Sequence, residues 1–540
     1  THTAVGAATM DLLKSRAALT ALGVVGVVVV LNALAPSVGR AAALAAVVLA
    51  VARLAIPAHR RYYPGEFQWG YFGTLPSTVA NIRRRHRYLA DLYKQYGGTV
   101  QTTRFSRLAF LLTRPNDIKW LMTHKALQNR PRPSGFEVAI PQSLLGLPTN
   151  DEWRGHRRLI SPLFAERFMK AYADVIMDEI DNKLVAKWRR LCAGGGDGSA
   201  ATVEVHADLT RITFDIIGRA GFATNFNSFI ADTDAKAAAA AAADSEKEKY
   251  LSASEVILNE IISLTLKPQW LQSKAPLRNA IGVFLGAVRE VRRADAAVDH
   301  HDEDTASAAA ATAGDGDAYV GKPQSMLHAL LQAERRGDIG AAAVDEETIA
   351  LLLAGHETTA NTTAWALYLL ATHADVQRKM VESIRMVVGD NERLCYHHIK
   401  QLEYVKWVFY EALRMFPTVV IVARQAAEPV KFRDRDFPKG TVFMVNIVGC
   451  GLNKDQWGDD VDVFRPERHA SAEPTAATRS PFALLSFGAG PRTCIGKRFA
   501  LEEGVLLLAS IVRSFELSYP SHRAAPAEVI DVTLGPKKGL

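Results

Sequence analysis

The chain is poor in cysteine: 540 residues carry only Cys192, Cys395, Cys450 and Cys494. No two of them form a Cys-x-x-Cys pair, which argues against a disulfide framework and against a thiolate zinc site. Reduced thiols imply that the folded part of the chain faces the cytosol. A charge excess of either sign is also lacking. Lys and Arg number 64 against 57 Asp and Glu, a net of +7, and much of the surplus lies near the N-terminus. No nucleic-acid module accompanies it, so no nucleic-acid partner is expected. A small basic surplus suits an anionic membrane surface or an acidic protein partner better. Hydrophobic residues make up 48% and charged residues 22%, the balance of an ordinary globular protein with enough length to bury a large core.

Long apolar runs are confined to the N-terminus. Residues 17–35 approach the roughly 20 apolar residues that a membrane span needs, although Thr20, two glycines and Asn32 interrupt them. Residues 41–52 form a shorter run that meets Arg53. Lys14 and Arg16 precede these runs, while the larger basic cluster of Arg40, Arg53, Arg60 and Arg61 follows them. That asymmetry places the following domain on the cytoplasmic side. We therefore expect residues 1–61 to be a membrane anchor with a basic linker and residues 62–540 to be one catalytic domain. A mitochondrial presequence or a cleaved signal peptide is the weaker alternative for the N-terminal segment. Low-complexity stretches interrupt the domain at 236–244 and 292–322, and the second is expected to be solvated and mobile.

Helical patterns dominate the domain. They run over 81–96, closed by Gly97-Gly98, then over 151–190, 206–221 and 344–373. The last opens on Asp345, Glu346 and Glu347, acids that suit a helix N-terminus. Residues 99–113 alternate like the strands of a small sheet, and 532–540 read as the first part of a terminal hairpin cut short. The fold class is mainly α with small β-sheets.

The chemistry is concentrated in one loop, Phe487-Gly488-Ala489-Gly490-Pro491-Arg492-Thr493-Cys494-Ile495-Gly496. Glycines let backbone N–H groups approach the cysteine sulfur, and such contacts tune a thiolate that holds a metal. Gly496 leaves room where the loop meets the next helix. The fixed positions Phe-Gly-x-Gly-x-Arg-x-Cys-x-Gly resemble the cytochrome P-450 family, the haem-thiolate monooxygenases. The resemblance implies Cys494 as the haem-iron ligand, haem b as cofactor, and a cytochrome P-450 fold. In that fold the haem lies between a long oxygen-side helix and the helix after the Cys loop.

Further motifs extend the resemblance over residues 62–540. Ala354-Gly355-His356-Glu357-Thr358-Thr359 is similar to the oxygen-side helix of the family. Oxygen activation consumes protons there. Thr358 can hold a water, and Glu357 can relay protons from solvent. Ala354 and Gly355 leave room for oxygen and substrate. A Thr inside a helix also often bonds back to the carbonyl four residues earlier, which is the purely structural alternative for Thr358. Sterol 14-demethylases of the family usually carry His in place of the acid, so Glu357 counts against that branch. Glu411-x-x-Arg414 and the Pro466-Glu467-Arg468 segment resemble the family's buried frame of Glu411, Arg414 and Arg468, a structural group. His469 stands where an aromatic is usual and affects only local packing. Trp153-x-x-x-Arg157, Arg424 and Arg492 match positions that hold the haem propionates, to which a guanidinium bonds bidentately.

The implied activity is O₂-dependent oxidation of a lipophilic substrate such as a sterol intermediate, a fatty acid or a xenobiotic. The mostly apolar family contact regions, 134–148, 351–354, 419–422 and 530–534, support that substrate class. Only a short segment follows Cys494, so electrons are expected from a separate NADPH-dependent flavoprotein reductase, with cytochrome b5 as a further donor. Lys497, Arg498, Arg154 and Arg158 are the basic residues that would receive it. The expected location is the endoplasmic reticulum membrane, with mitochondria the weaker choice. Two rival readings are a haem-thiolate isomerase or peroxygenase that needs no reductase, and a haem-binding membrane protein without activity. The Glu357-Thr358 pair argues against the first. The number of coincident motifs argues against the second.

Overall fold

The alternation over 99–113 forms two strands, β1 (Thr99–Arg104) and β2 (Arg107–Leu112). They open a four-stranded sheet of order β1-β2-β6-β3, completed by β3 (Ile421–Gln425) and β6 (Val442–Asn446). β2 and β6 run parallel; the other pairs are antiparallel. A second, two-stranded sheet pairs β4 (Val430–Phe432) with β5 (Arg435–Phe437). Phe110, Phe432, Phe437, Phe443 and Trp120 cluster between the two sheets, with Phe110 meeting Phe437 edge-on at 4.9 Å between ring centroids. Aromatic pairs of this kind add about 0.5–1.5 kcal/mol beyond the area they bury.

This computed structural model describes residues 62–65, 74–81, 84–104, 107–131, 135–194, 200–229, 246–266, 274–309, 325–390, 392–473, 476–530, 532–536 and 540. The expected anchor over 1–61 and the stretch at 236–244 lie outside the described residues. Among the described residues, no helix is long and apolar enough to cross a membrane.

The helices follow in chain order as α1 (Leu75–Ala80), α2 (Arg85–Tyr96), α3 (Pro115–Thr123), α4 (Gly135–Ala139), α5 (Asp151–Ile160) and α6 (Glu166–Glu179). Next come α7 (Ala186–Gly194), α8 (Val205–Phe222), α9 (Glu246–Leu266), α10 (Ala275–Ala309), α11 (Met326–Arg335) and α12 (Ala341–Thr372). The remainder are α13 (Ala374–Val388), α14 (Tyr396–Ile399), α15 (Glu403–Met415), α16 (Ile447–Gly451), α17 (Lys454–Trp457) and α18 (Lys497–Ser514). The helix expected over 81–96 stops where Gly97 takes φ 77°, a left-handed conformation that favours glycine.

α12 is the axis of the domain. Its side chains are buried around most of its circumference from Val344 to Leu370, as expected of a helix with no polar face. It packs against α8, α15 and α18.

Several expectations need correction. Residues 292–309, expected within a mobile insertion over 292–322, are helical and form the second half of α10, while 310–322 lie outside the described residues. Alanine is the best helix former, and this stretch is rich in it. Arg292 bonds to Glu334 at 2.6 Å and to Asp345 at 2.9 Å, which ties α10 to α11 and α12. α12 starts at Ala341, so Asp345, Glu346 and Glu347 lie beyond its first turn rather than at its N-terminus. The terminal hairpin is formed within the described residues: β7 (Glu528–Ile530) pairs antiparallel with β8 (Leu534–Pro536).

Candidate active site

Cys494 lies at the start of α18, in a loop whose shape the sequence dictates. Gly488 (φ 68°) and Gly490 (φ 71°) both take left-handed backbone, as anticipated. A Cβ on Gly490 would stand 2.5 Å from the Met122 carbonyl oxygen. The Cys494 N–H donates to the Phe487 carbonyl at 2.8 Å and closes the loop. The Cys494 thiol is solvent-accessible. Burial nevertheless pushes its pKa up, against the Gly496 N–H and the charges of Arg157 and Lys497. The two facts together put the sulfur on the floor of a cleft. Gly496 has ordinary backbone, and a Cβ there would meet Phe164 at 3.7 Å, a normal contact. Its contribution is therefore its N–H toward the sulfur, not the room it was expected to leave.

On α12, Ala354 is exposed and Glu357 and Thr358 are half-buried, within a helix otherwise sunk in the core. Accessibility in the middle of such a helix marks the wall of an internal cleft. The Thr358 hydroxyl donates to the Ala354 carbonyl at 2.9 Å, the back-bond that a helical Thr commonly makes. Gly355 does not open the cleft: a Cβ there would come within 2.8 Å of Ile217, so this glycine admits α8 against α12. His356 points away into the core. It bonds to the Leu352 carbonyl at 2.8 Å through Nδ1 and packs edge-on to Phe214.

A group of cations and donors completes the site. The Asn150 side chain caps α5 by accepting the Trp153 N–H at 2.9 Å. That sets Trp153 in the core, where its indole N–H has no acceptor among the described residues. Arg492 lies over the Trp153 ring at 4.2 Å. It is held by donating to Thr149 Oγ1, Leu144 O and Leu147 O at 2.9, 2.8 and 2.6 Å. Arg424 on β3 is buried, and its pKa is pushed down to about 10 by burial and by the neighbouring Arg130. Arg130 is depressed by burial as well. Each donates to a carbonyl, Ala423 O at 2.9 Å and Leu145 O at 2.8 Å respectively. Neither has a carboxylate within salt-bridge distance among the described residues. Two like charges in one low-dielectric place are costly without counter-charge.

Haem is the molecule these residues fit. It brings two carboxylates to a place holding one buried and one half-buried guanidinium and an indole N–H with no acceptor among the described residues, and an iron to an accessible thiol. Arg130 was not singled out from sequence; only its approach to Arg424 across 294 positions marks it. Arg157 is half-buried and close enough to Cys494 for each to favour the charged form of the other.

Glu411, Arg414 and Arg468 meet in one buried group. Arg414 donates to both Glu411 carboxylate oxygens at 2.9 and 2.8 Å, and Arg468 to Oε1 at 2.7 Å, all three side chains buried. His469 does more than pack: its Nε2 lies 2.9 Å from Glu411 Oε2 and makes a fourth member. Burial alone would raise the Glu411 carboxyl, but hydrogen bonds from Arg414 and His469 overcome it and hold the group well below the usual carboxylate range.

Two of the expected substrate regions are tied to α12, which itself carries a third, 351–354. The 135–148 segment is tied to it by the Leu144 N–H, which donates to Glu347 at 2.9 Å. Glu347 is fully buried and also bonds His156 Nδ1 at 2.8 Å. The terminal hairpin is tied by Asn361 Nδ2 to Thr533 Oγ1 at 2.9 Å, and the Leu534 N–H donates to the Thr418 carbonyl at 2.8 Å.

A thiol in a glycine loop, an acid and an alcohol on the helix packed against α18, and a group of buried donors define a haem-thiolate oxygenase. The comparisons agree: the family model for Cytochrome P-450 matches residues 64–540, and the chain belongs to that family. It is 29% identical to cytochrome P-450 monooxygenase 128 of Postia placenta over 83% of both chains. It is 29% identical to the ultra-long-chain fatty acid omega-hydroxylase of Homo sapiens over 69% of this chain and 67% of the relative. It is likewise 29% identical to the bifunctional cytochrome P-450/NADPH–P-450 reductase 2 of Bacillus subtilis, over 68% of this chain but 31% of that longer protein. The protein is thus a haem-thiolate monooxygenase with haem b as its cofactor.

Proposed function

We propose that the protein hydroxylates, demethylates or epoxidises a lipophilic substrate with electrons from NADPH delivered by a separate flavoprotein reductase. The observation that carries this reading is the accessible Ala354–Thr358 stretch of α12, with an acid and an alcohol, inside a helix that is otherwise core. Haem, when bound, supplies the activation of O₂ and the insertion of one oxygen atom, the other leaving as water.

Cys494 holds the iron, and the N–H of Gly496 with the charges of Arg157 and Lys497 stabilise the thiolate. Trp153, Arg130 and Arg424 hold the propionates. Arg492 locks the 144–149 loop beside them. Thr358 positions water once its hydroxyl turns from the Ala354 carbonyl, and Glu357 passes protons to it. The apolar segments gathered along α12 accept the substrate. The ω-hydroxylase relative makes a long-chain fatty acid the first compound to try. A membrane anchor over 1–61 and a location at the endoplasmic reticulum, with the domain in the cytosol, complete the proposal. Cytochrome b5 is a further electron donor to include.

The test is turnover of a panel of fatty acids, sterol intermediates and xenobiotics under two regimes: NADPH with flavoprotein reductase, and hydrogen peroxide alone. Product that requires NADPH, reductase and O₂ supports the proposal. Product from peroxide alone, with none from the reductase system, overturns it in favour of a peroxygenase.

A further inference from the structure

The turn before α14 gathers three side chains that the haem chemistry does not use. Cys395 Sγ lies 3.0 Å from His397 Nδ1 and 3.2 Å from His398 Nδ1. The three ligand atoms all fall within 4.8 Å of one another. We propose that Cys395, His397 and His398 form a binding site for a borderline-soft divalent cation, with zinc as the ion it suits best.

The separations are close to what such an ion requires. Zinc binds thiolate sulfur at about 2.3 Å and imidazole nitrogen at about 2.0 Å in tetrahedral geometry. Those lengths put sulfur and nitrogen roughly 3.5 Å apart, so the site needs only a small expansion to admit the ion.

The protonation pattern of His398 is already the one a ligand needs. The Cys395 N–H donates to His398 Nδ1 at 3.2 Å, so Nδ1 carries a lone pair, which the ion would take over from that N–H, and the ring proton sits on Nε2. Nε2 faces the Glu392 carboxylate at 3.5 Å. A metal-bound histidine that gives its second N–H to a carboxylate is the usual supporting arrangement.

Helix capping explains only part of this cluster. Cys395 and His398 form a reciprocal cap at the start of α14, but the cap makes no use of His397. The His397 ring nonetheless turns its Nδ1 to the same sulfur, and its centroid lies 3.8 Å from that of His398. His398 is buried, Cys395 half-buried and His397 exposed. The ion would thus be anchored on the protein side and open to water at a fourth position. A Cys-x-His-His run holds one thiol only, which is why the search for thiol pairs passed over it. α14 packs against α6 and α18, so the ion would stiffen a turn that rests on the helix following the Cys494 loop.

The experiment is a zinc titration of the haem-loaded full chain, in which the haem iron occupies Cys494, against a chromophoric chelator in a thiol-free reductant. The expected result is one zinc per chain, with X-ray absorption at the zinc edge showing one sulfur and two imidazole nitrogens. His397→Ala and Cys395→Ser should each weaken binding by about tenfold or more, given that even supporting residues are worth 10–100-fold. Cys192→Ser should change nothing. His397 is exposed, so its variant keeps the inference testable if Cys395→Ser fails to fold, and an unaltered haem spectrum certifies each variant. Absence of stoichiometric zinc, or an affinity that His397→Ala leaves unchanged, overturns the assignment.

Discussion

The carboxyl of Glu503 on α18 faces the hydroxyl of Thr359 on α12. Both are buried, and neither makes a hydrogen bond of ordinary length. Burial holds the Glu503 pKa well above its usual value against the opposing influence of Thr359. An acid in that position keeps its proton to higher pH than an exposed one, because a lone buried carboxylate costs far more than a protonated one.

A raised folded pKa fixes the sign of the pH effect. As pH rises past the ordinary carboxylate value, the unfolded chain releases this proton while the folded chain keeps it. The contribution of Glu503 is therefore full below that value and falls as pH rises toward its folded pKa. Glu503→Gln keeps the shape and cannot ionise. Its stability relative to the native protein should improve between about pH 5 and about pH 8, read as the difference in urea midpoints at the two pH values. A difference that stays constant would show that Glu503 is ionised in the fold.

His356 shows the opposite dependence. Burial pushes its pKa down to about 4, opposed by the Leu352 carbonyl. The folded state refuses a proton that the unfolded chain accepts below its ordinary value of 6.5. Stability is then full above that value and is lost as pH falls toward 4, by up to about 3 kcal/mol at about 1.4 kcal/mol per pH unit. His356→Gln should retain more of its neutral-pH stability at pH 4.5 than the native protein does. Equal acid losses would exclude His356 as the titrating group.

Several residues legible in the sequence have partners within ten positions. Gly488, Gly490 and Cys494 sit in one loop, Glu357 and Thr358 on one turn, and Glu411 and Arg414 one helical turn apart. Fixed spacing then carries the chemistry. Arg130 beside Arg424, His156 on Glu347 and Glu503 against Thr359 join elements more than a hundred positions apart, and only the packed core brings them together. Gly355 illustrates the same limit. Its place beside Glu357 suggests a gap for oxygen, whereas the actual neighbour is Ile217 on α8. The error over 292–309 was of another kind. Low complexity was read as disorder, although alanine stabilises a helix already under way.

Thr358→Ala separates the two roles open to that hydroxyl. If it only bonds to the Ala354 carbonyl, its loss changes little, since such back-bonds slightly destabilise helices. If it positions water for proton delivery, the variant consumes NADPH but forms less product and more hydrogen peroxide. We expect the second result, with the fraction of NADPH recovered as product falling several-fold, measured by parallel assays of NADPH, product and peroxide. Unchanged coupling would remove Thr358 from the mechanism.

Glu411→Ala leaves Arg414 buried without its counter-charge and Arg468 with only Asp460, at 3.1 Å. Breaking one member of a buried ion group costs about 3–5 kcal/mol, so the variant should lose haem binding along with stability. His469→Phe removes one hydrogen bond to the charged Glu411 carboxylate, and a bond of that kind contributes about 1.5–3 kcal/mol. That variant should still fold and bind haem with a lower thermal midpoint. The ratio of haem absorbance to protein absorbance in purified material tests both. Equal losses in the two variants would mean that His469, not the arginine pairs, anchors the frame.

The face by which a reductase approaches can be narrowed by charge accounting. Of the four basic residues expected there, Arg154 is taken by Asp151 at 2.7 Å, and Arg498 lies 3.9 Å from both Glu166 and Glu502. Their charge is thus partly spent within the chain. Lys497 and Arg158 are exposed and form no ion pair among the described residues. They flank the Cys494 loop, since Lys497 opens α18 and Arg158 follows Arg157, which senses the thiol. An acidic flavoprotein steered by these two charges would lose association rate and salt dependence when they are reversed. Lys497→Glu with Arg158→Glu should therefore cut reductase-driven turnover about tenfold or more at low ionic strength. Turnover supported by hydrogen peroxide should survive, because it needs no partner. A parallel loss in both assays would instead trace the defect to the thiolate that Lys497 helps to stabilise.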